Sequence, residues 1–171
     1  MKTILFVVII LSLFANQAFA QSAYVLPYPS AMPGNILYRF NLVKESLLKF
    51  WYFGDFGQFE YNLKGSDKYL VEAKTLFEYQ QYLLGFQALA NSDDYFIKTL
   101  PNLNSAQKNG KNIKNDREVL RNAALKHIET LSKLIREVPE TFVWKPEKEK
   151  PAVLNIKEKI NKSISIREKY L

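Results

Sequence analysis

The chain has 171 residues, no cysteine, a single histidine and a net charge of +7. The absence of cysteine excludes disulfides, thiolate metal sites, covalent haem attachment and a lipid-anchoring cysteine, so stability has to come from packing. The charge is uneven: from Asn35 to Ile97 acids slightly outnumber bases, whereas from Lys98 onward bases lead by 17 to 9, a balance that favours anionic partners.

Residues 1–20 read as an export signal. Lys2 supplies the positive start, Ile4 to Phe14 is an apolar run broken only by Ser12, and Ala18 and Ala20 place small side chains at a signal-peptidase site. The mature chain is then expected to begin at Gln21 and to be secreted or extracytoplasmic. An uncleaved signal acting as a membrane anchor is the alternative, although Asn16 and Gln17 end the run short of the roughly 18–20 apolar residues that span a bilayer.

Residues 21–34 carry Pro27, Pro29 and Pro33 and are expected to be an extended lead-in. A helical bundle is expected over 35–138. Asn35 is placed to cap a first helix running to about Phe53, with Ile36, Phe40, Val43, Leu47 and Phe50 at helical spacing. Asp55 with Gln58 matches a capping box for a long second helix, from about Phe56 to Ala90. Asn91-Ser92-Asp93-Asp94 reads as a break with Ser92 as the next cap, and Pro101 is expected to kink or split the third helix. Asn115 with Glu118 signals a fourth helix with Leu120, Ala124, Ile128, Leu131, Ile135 and Val138 on one face. Pro139, Pro146 and Pro151 bound an extended linker over 139–151, in which Phe142, Val143 and Trp144 are expected to dock on the bundle. A last helix is expected within 152–171. The fold class is therefore all-α: an up-and-down bundle of four to five helices behind a Pro-rich extended lead-in.

Chemistry is sparse. His127 has neither cysteine nor a second histidine with which to build a metal site, and it is expected at the edge of the core. Paired carboxylates remain the only catalytic option, with Asp67 and Glu72 five apart and Asp93 next to Asp94. No catalytic, cofactor-binding or metal residue is assigned, and no cofactor is expected. The strongest local anomaly is aromatic: Phe50-Trp51-Tyr52-Phe53 cannot all face one core, because a helix turns about 100° per residue. Trp51, Tyr52, Phe53 and Phe56, with the basic residues Lys111, Lys114, Arg117 and Arg121, form the candidate binding patch. A protein, an anionic envelope polymer or a membrane surface would suit it. Nucleic acid is not an expected partner of an exported protein. The leading functional expectation is a non-catalytic interaction module of the cell envelope. An extracytoplasmic holdase using an aromatic groove comes second, and an acid-based enzyme third.

Three segments together carry a resemblance. They are Leu26-Pro27 with Met32-Pro33-Gly34, Leu37-Tyr38 and Lys44-Glu45; Leu63 to Ala73, around Ser66-Asp67-Lys68; and Ala124 to Glu129 with Val138-Pro139-Glu140. In these the chain resembles an uncharacterised family of exported bacterial helical domains, catalogued only as a domain of unknown function. The resemblance implies an exported all-α domain and brings no catalytic residues with it.

Overall fold

Side-chain and backbone caps decide where the helices begin and end. The structure is a computed structural model that describes residues 23–148 and 150–171. Ala18, Ala20 and Gln21, the expected cleavage site, lie outside the described residues. Among those described there are five helices and one two-stranded sheet, an all-α bundle with a small β ribbon.

Helix α1 (Ile36–Trp51) starts as expected, with the Asn35 side chain accepting from the Leu37 amide at 2.9 Å. It ends two residues earlier than Phe53. Helix α2 (Gly54–Glu78) then begins at Gly54 with no side-chain cap. Gln58, read as half of a capping box, instead donates to the carbonyls of Tyr52 (2.6 Å) and Lys49 (3.2 Å), closing the end of α1.

The largest departure from expectation is the end of α2. It stops at Glu78, and α3 (Tyr82–Lys108) runs unbroken through Asn91 to Asp94 and through Pro101. The break is a Schellman motif. Gln81 N–H reaches the Leu76 carbonyl at 2.8 Å, Gln80 N–H reaches Phe77 at 2.9 Å, and Gln80 takes the left-handed φ of 59°. Glycine normally signals that position, and here a glutamine holds it. The next turn shows the legible version, with Gly110 at φ 75° and Lys111 N–H bonded to the Ala106 carbonyl. Ser92 is therefore a mid-helix residue and not a cap. Pro101 lies on the exposed side of α3 and does not split it.

Helix α4 (Lys114–Leu134) is capped from Asn112, whose side chain accepts the Lys114 amide at 3.0 Å, and not by an Asn115 box. The segment 139–151, read as a linker, carries strand β1 (Thr141–Trp144). It pairs antiparallel with β2 (Ala152–Asn155), Phe142 opposite Leu154. Residues 152–155 are thus strand, and α5 spans Ile156–Glu168. The docking expected of this segment is met chiefly by Phe142, whose ring lies 4.9 Å from that of Tyr82.

Helices α2 to α5 enclose two apolar layers. One holds Leu70, Phe77, Leu89, Leu131, Ile156 and Ile160; the other holds Phe59, Leu63, Phe96, Leu103, Leu120 and Ala124. Between them every one of the four helices contributes buried polar side chains: Ser66 and Asp67, Ser92 and Asp93, His127, and Ser163 and Arg167. Helix α1 stands apart, with no buried residue at all. The lead-in lies along the bundle through Leu26 and Met32, which pack on the first layer, and Tyr24, which packs on the second.

Candidate functional site

Two features stand out once the fold is in place: the polar layer inside the bundle and the outward face of α1.

The polar layer is a continuous chain of hydrogen bonds. Tyr24 Oη donates to Asp67 Oδ2 at 2.5 Å, and His127 Nε2 lies 2.7 Å from Asp67 Oδ1. Arg167 Nε donates to His127 Nδ1 at 2.9 Å, Nη1 to Asp93 Oδ1 at 2.6 Å, and Nη2 to Ser92 Oγ at 2.8 Å. Ser163 Oγ and Lys159 Nζ both donate to Asp93 Oδ2 at 2.7 Å. Ser66 and Ser92 each donate to the other's backbone carbonyl, at 2.9 and 2.8 Å, which draws α2 and α3 together.

These contacts settle the state of His127. A guanidinium N–H can only donate, so Nδ1 must be the acceptor and Nε2 must carry the proton given to Asp67. Burial, with Arg167 adding to it against the pull of Asp67 and Asp93, pushes the imidazole from 6.5 down to about 4. The histidine is fully buried and sits at the centre of the core, not at its edge. Both ring nitrogens are engaged, so the ring has no lone pair to offer a substrate unless Arg167 moves away. Asp67 and Asp93, considered as members of separate carboxylate pairs, are instead joined to each other through His127 and Arg167. Sequence spacing hid this, because Arg167 lies 74 positions from Asp93 and 40 from His127.

Acid sensitivity follows. Between pH 6.5 and about 4 the unfolded chain binds a proton at His127 that the folded chain refuses, so stability is complete above this window and falls as pH drops through it. His127→Gln should remove that His-dependent slope, seen as a smaller difference between urea midpoints at about pH 7 and about pH 5. It should also cost about 1–3 kcal/mol, because glutamine can still donate to Asp67 but leaves Arg167 Nε unpartnered. An unchanged slope in the variant would assign the acid sensitivity elsewhere.

Helix α1 is inverted relative to expectation. Its stripe of Ile36, Phe40, Val43, Leu47 and Phe50 points away from the bundle, each side chain between 61 and 73% exposed. The face toward the bundle mixes polar and aromatic side chains with the half-buried Leu42 and Leu48. Tyr38 Oη donates to buried Glu72 at 2.9 Å, Lys68 Nζ donates to Glu45 at 2.5 Å, and Lys64 Nζ donates to Tyr52 Oη at 3.2 Å. Glu72 has a second oxygen without a hydrogen-bond partner, and burial raises its carboxyl above the ordinary range. Tyr52, Tyr61, Tyr69 and Tyr95 line a cleft of about 150 Å³ beneath α1. Polar tethers, and not core burial, hold this helix in place.

The residues of the candidate patch divide accordingly. Trp51 and Phe53 are 79 and 82% exposed at the corner after α1, while Tyr52 turns inward onto Tyr61 with ring centroids 5.7 Å apart. Phe56 packs against the second apolar layer. Lys111 Nζ lies 5.2 Å from the Phe56 ring and 3.4 Å from Asp55, which brings the start of the basic stretch beside the aromatic corner. Lys114 and Arg121 are exposed on α4, and Arg117 reaches Asn104 and Gln107 on α3. Among the described residues no cluster of histidine or acidic side chains is arranged to hold a metal ion, and no helix is long and apolar enough to cross a membrane.

No protein family matches the chain, and no curated protein or solved structure is significantly similar to it.

Proposed function

We propose that this protein is an exported, non-catalytic interaction module of the cell envelope whose contact element is the outer face of α1. The observation that carries the reading is the solvent-facing stripe from Ile36 to Phe50, continued by Trp51 and Phe53. A monomer rarely leaves a contiguous apolar face of this kind uncovered unless something else covers it. The engagement of both carboxylate oxygens of Asp67 and of Asp93 by Tyr24, His127, Arg167, Ser163 and Lys159 also supports a non-catalytic role.

A variant carrying Phe40→Gln, Leu47→Gln and Phe50→Gln tests the reading. All three side chains are exposed and glutamine is a good helix former, so helix content and urea midpoint should hold. Binding of a fluorescent apolar dye to the native protein should fall by at least about half, the order expected when the main exposed apolar patch is lost. Equal dye binding by the wild type and the variant would remove α1 as the contact element. The aromatic corner keeps a holdase reading alive as the second choice. Stoichiometric suppression of aggregation of a heat-denatured client, lost in the triple variant, would favour it.

A further inference from the structure

We propose that the outer face of α1 binds an anionic lipid bilayer, lying in the plane of the interface with its apolar stripe among the acyl chains and its cations at the headgroups. The inference rests on α1 being the contact element and specifies what that element contacts.

Charge placement is the argument. At about 100° per residue, Phe50, Val43, Ile36, Leu47, Phe40 and Trp51 fall in one sector of the helix. Arg39 borders that sector on one edge and Lys44 on the other, both exposed. Lys49, nearer the inner side, is exposed as well. The only acid on the helix, Glu45, turns toward the bundle and is paired with Lys68. The outer face therefore combines an aromatic-rich apolar stripe with positive edges and no exposed negative charge. That is the composition of a helix lying in an anionic interface.

The same charges argue against a second copy as the occupant. In a twofold contact the same patch would meet itself, so the positive edges formed by Arg39 and Lys44 would be brought together with no acid between them. Phospholipid headgroups supply the missing charge. The tethering of α1 is compatible with this role: no residue of the helix is buried, so inserting its outer face would expose no core.

The experiment uses the chain from Gln21 onward, which retains every described residue and omits the apolar leader that would itself partition into lipid. Trp144→Phe is introduced so that Trp51 is the only tryptophan reporter. Vesicles of phosphatidylglycerol and phosphatidylcholine in equal parts should shift Trp51 emission to the blue and sediment the protein. Vesicles of phosphatidylcholine alone should do so much less. Raising salt from about 0.05 M to about 0.5 M should weaken binding several-fold through screening. The Phe40→Gln, Leu47→Gln, Phe50→Gln variant should partition at least about 100-fold less, because three large apolar side chains no longer enter the interface. Arg39→Gln with Lys44→Gln and Lys49→Gln should lose the preference for anionic lipid while retaining weak binding.

No blue shift and no sedimentation by the parent protein with anionic vesicles would overturn the lipid assignment. So would a shift that appears without vesicles and grows with protein concentration, which would identify a second copy as the occupant. Neither result touches the wider reading if the triple glutamine variant still loses dye binding. If the triple variant matches its parent in both dye and vesicle assays, the wider reading fails with it.

Discussion

Arg167→Ala should destabilise the protein by about 3–5 kcal/mol, the cost of breaking a buried ion pair by removing one partner. Arg167 is fully buried and donates to four groups at once: His127 Nδ1, Asp93 Oδ1, Ser92 Oγ and the Ser163 carbonyl. Its loss leaves Asp93 with Ser163 and Lys159, strips His127 of its donor, and opens a cavity beside Phe96, whose ring centroid is 5.0 Å from the guanidinium. Arg167→Lys should recover only part of the loss, because one ammonium cannot donate along two helices and to an imidazole in the plane a guanidinium fork defines. Combining Arg167→Met with Asp93→Asn should cost less than the sum of the single changes, since neither charge is then abandoned. Urea unfolding at neutral pH measures all of these. A loss below about 1 kcal/mol for Arg167→Ala would mean that water substitutes for the guanidinium and that the layer is not a closed network.

The second large effect is expected in the apolar layer. Leu131→Ala should cost about 2–5 kcal/mol. Leu131 is fully enclosed among the buried residues of the first apolar layer, contributed by α2, α3 and α5 as well as its own helix. With neighbours on three other helices, the site has little freedom to collapse into the space, which places the cost toward the upper part of that range. Leu47→Ala, a like-sized truncation on the outer face of α1, should change the stability by less than about 0.5 kcal/mol, the usual scale for surface sites. A Leu131 effect as small as the Leu47 effect would contradict the packing described for α4.

The two effects mark what could be read in advance. The stripe containing Leu131 is visible in the sequence because α4 is amphipathic with none of its charged residues buried, so its period and its burial agree. The stripe on α1 has an equally good period, and there the same inference of burial fails. Periodicity reveals that a helix has an apolar side, not which way that side turns. The inner side of α1 is drawn to the bundle by the Tyr38–Glu72, Glu45–Lys68 and Tyr52–Lys64 bonds, whose partners lie 12 to 34 positions away. The aromatic run Phe50 to Phe53 did signal that some side chains must leave the core, and Trp51 and Phe53 are two that do.

Helix ends followed the same division. Gly110 announced its turn because glycine tolerates positive φ at little cost; Gln80 did not, because its left-handed backbone is held by the Schellman bonds around it and by no preference of its own. Asn91 to Asp94 had the letters of a helix start, yet Ser92 and Asp93 lie inside α3, where their side chains bond to Ser66, Ser163, Lys159 and Arg167 of neighbouring helices.

By itself the sequence determined the helical class, the extended lead-in and the apolar side of α4, since each is a local matter of spacing, proline and capping. Only the tertiary structure decided that Asp67, His127, Arg167 and Asp93 meet, and that α1 turns its apolar side outward. Burying a charge is unfavourable unless its counter-charge and its hydrogen-bond partners arrive with it. Those partners come from the lead-in and from other helices, far away in the chain, and no local pattern records their arrival.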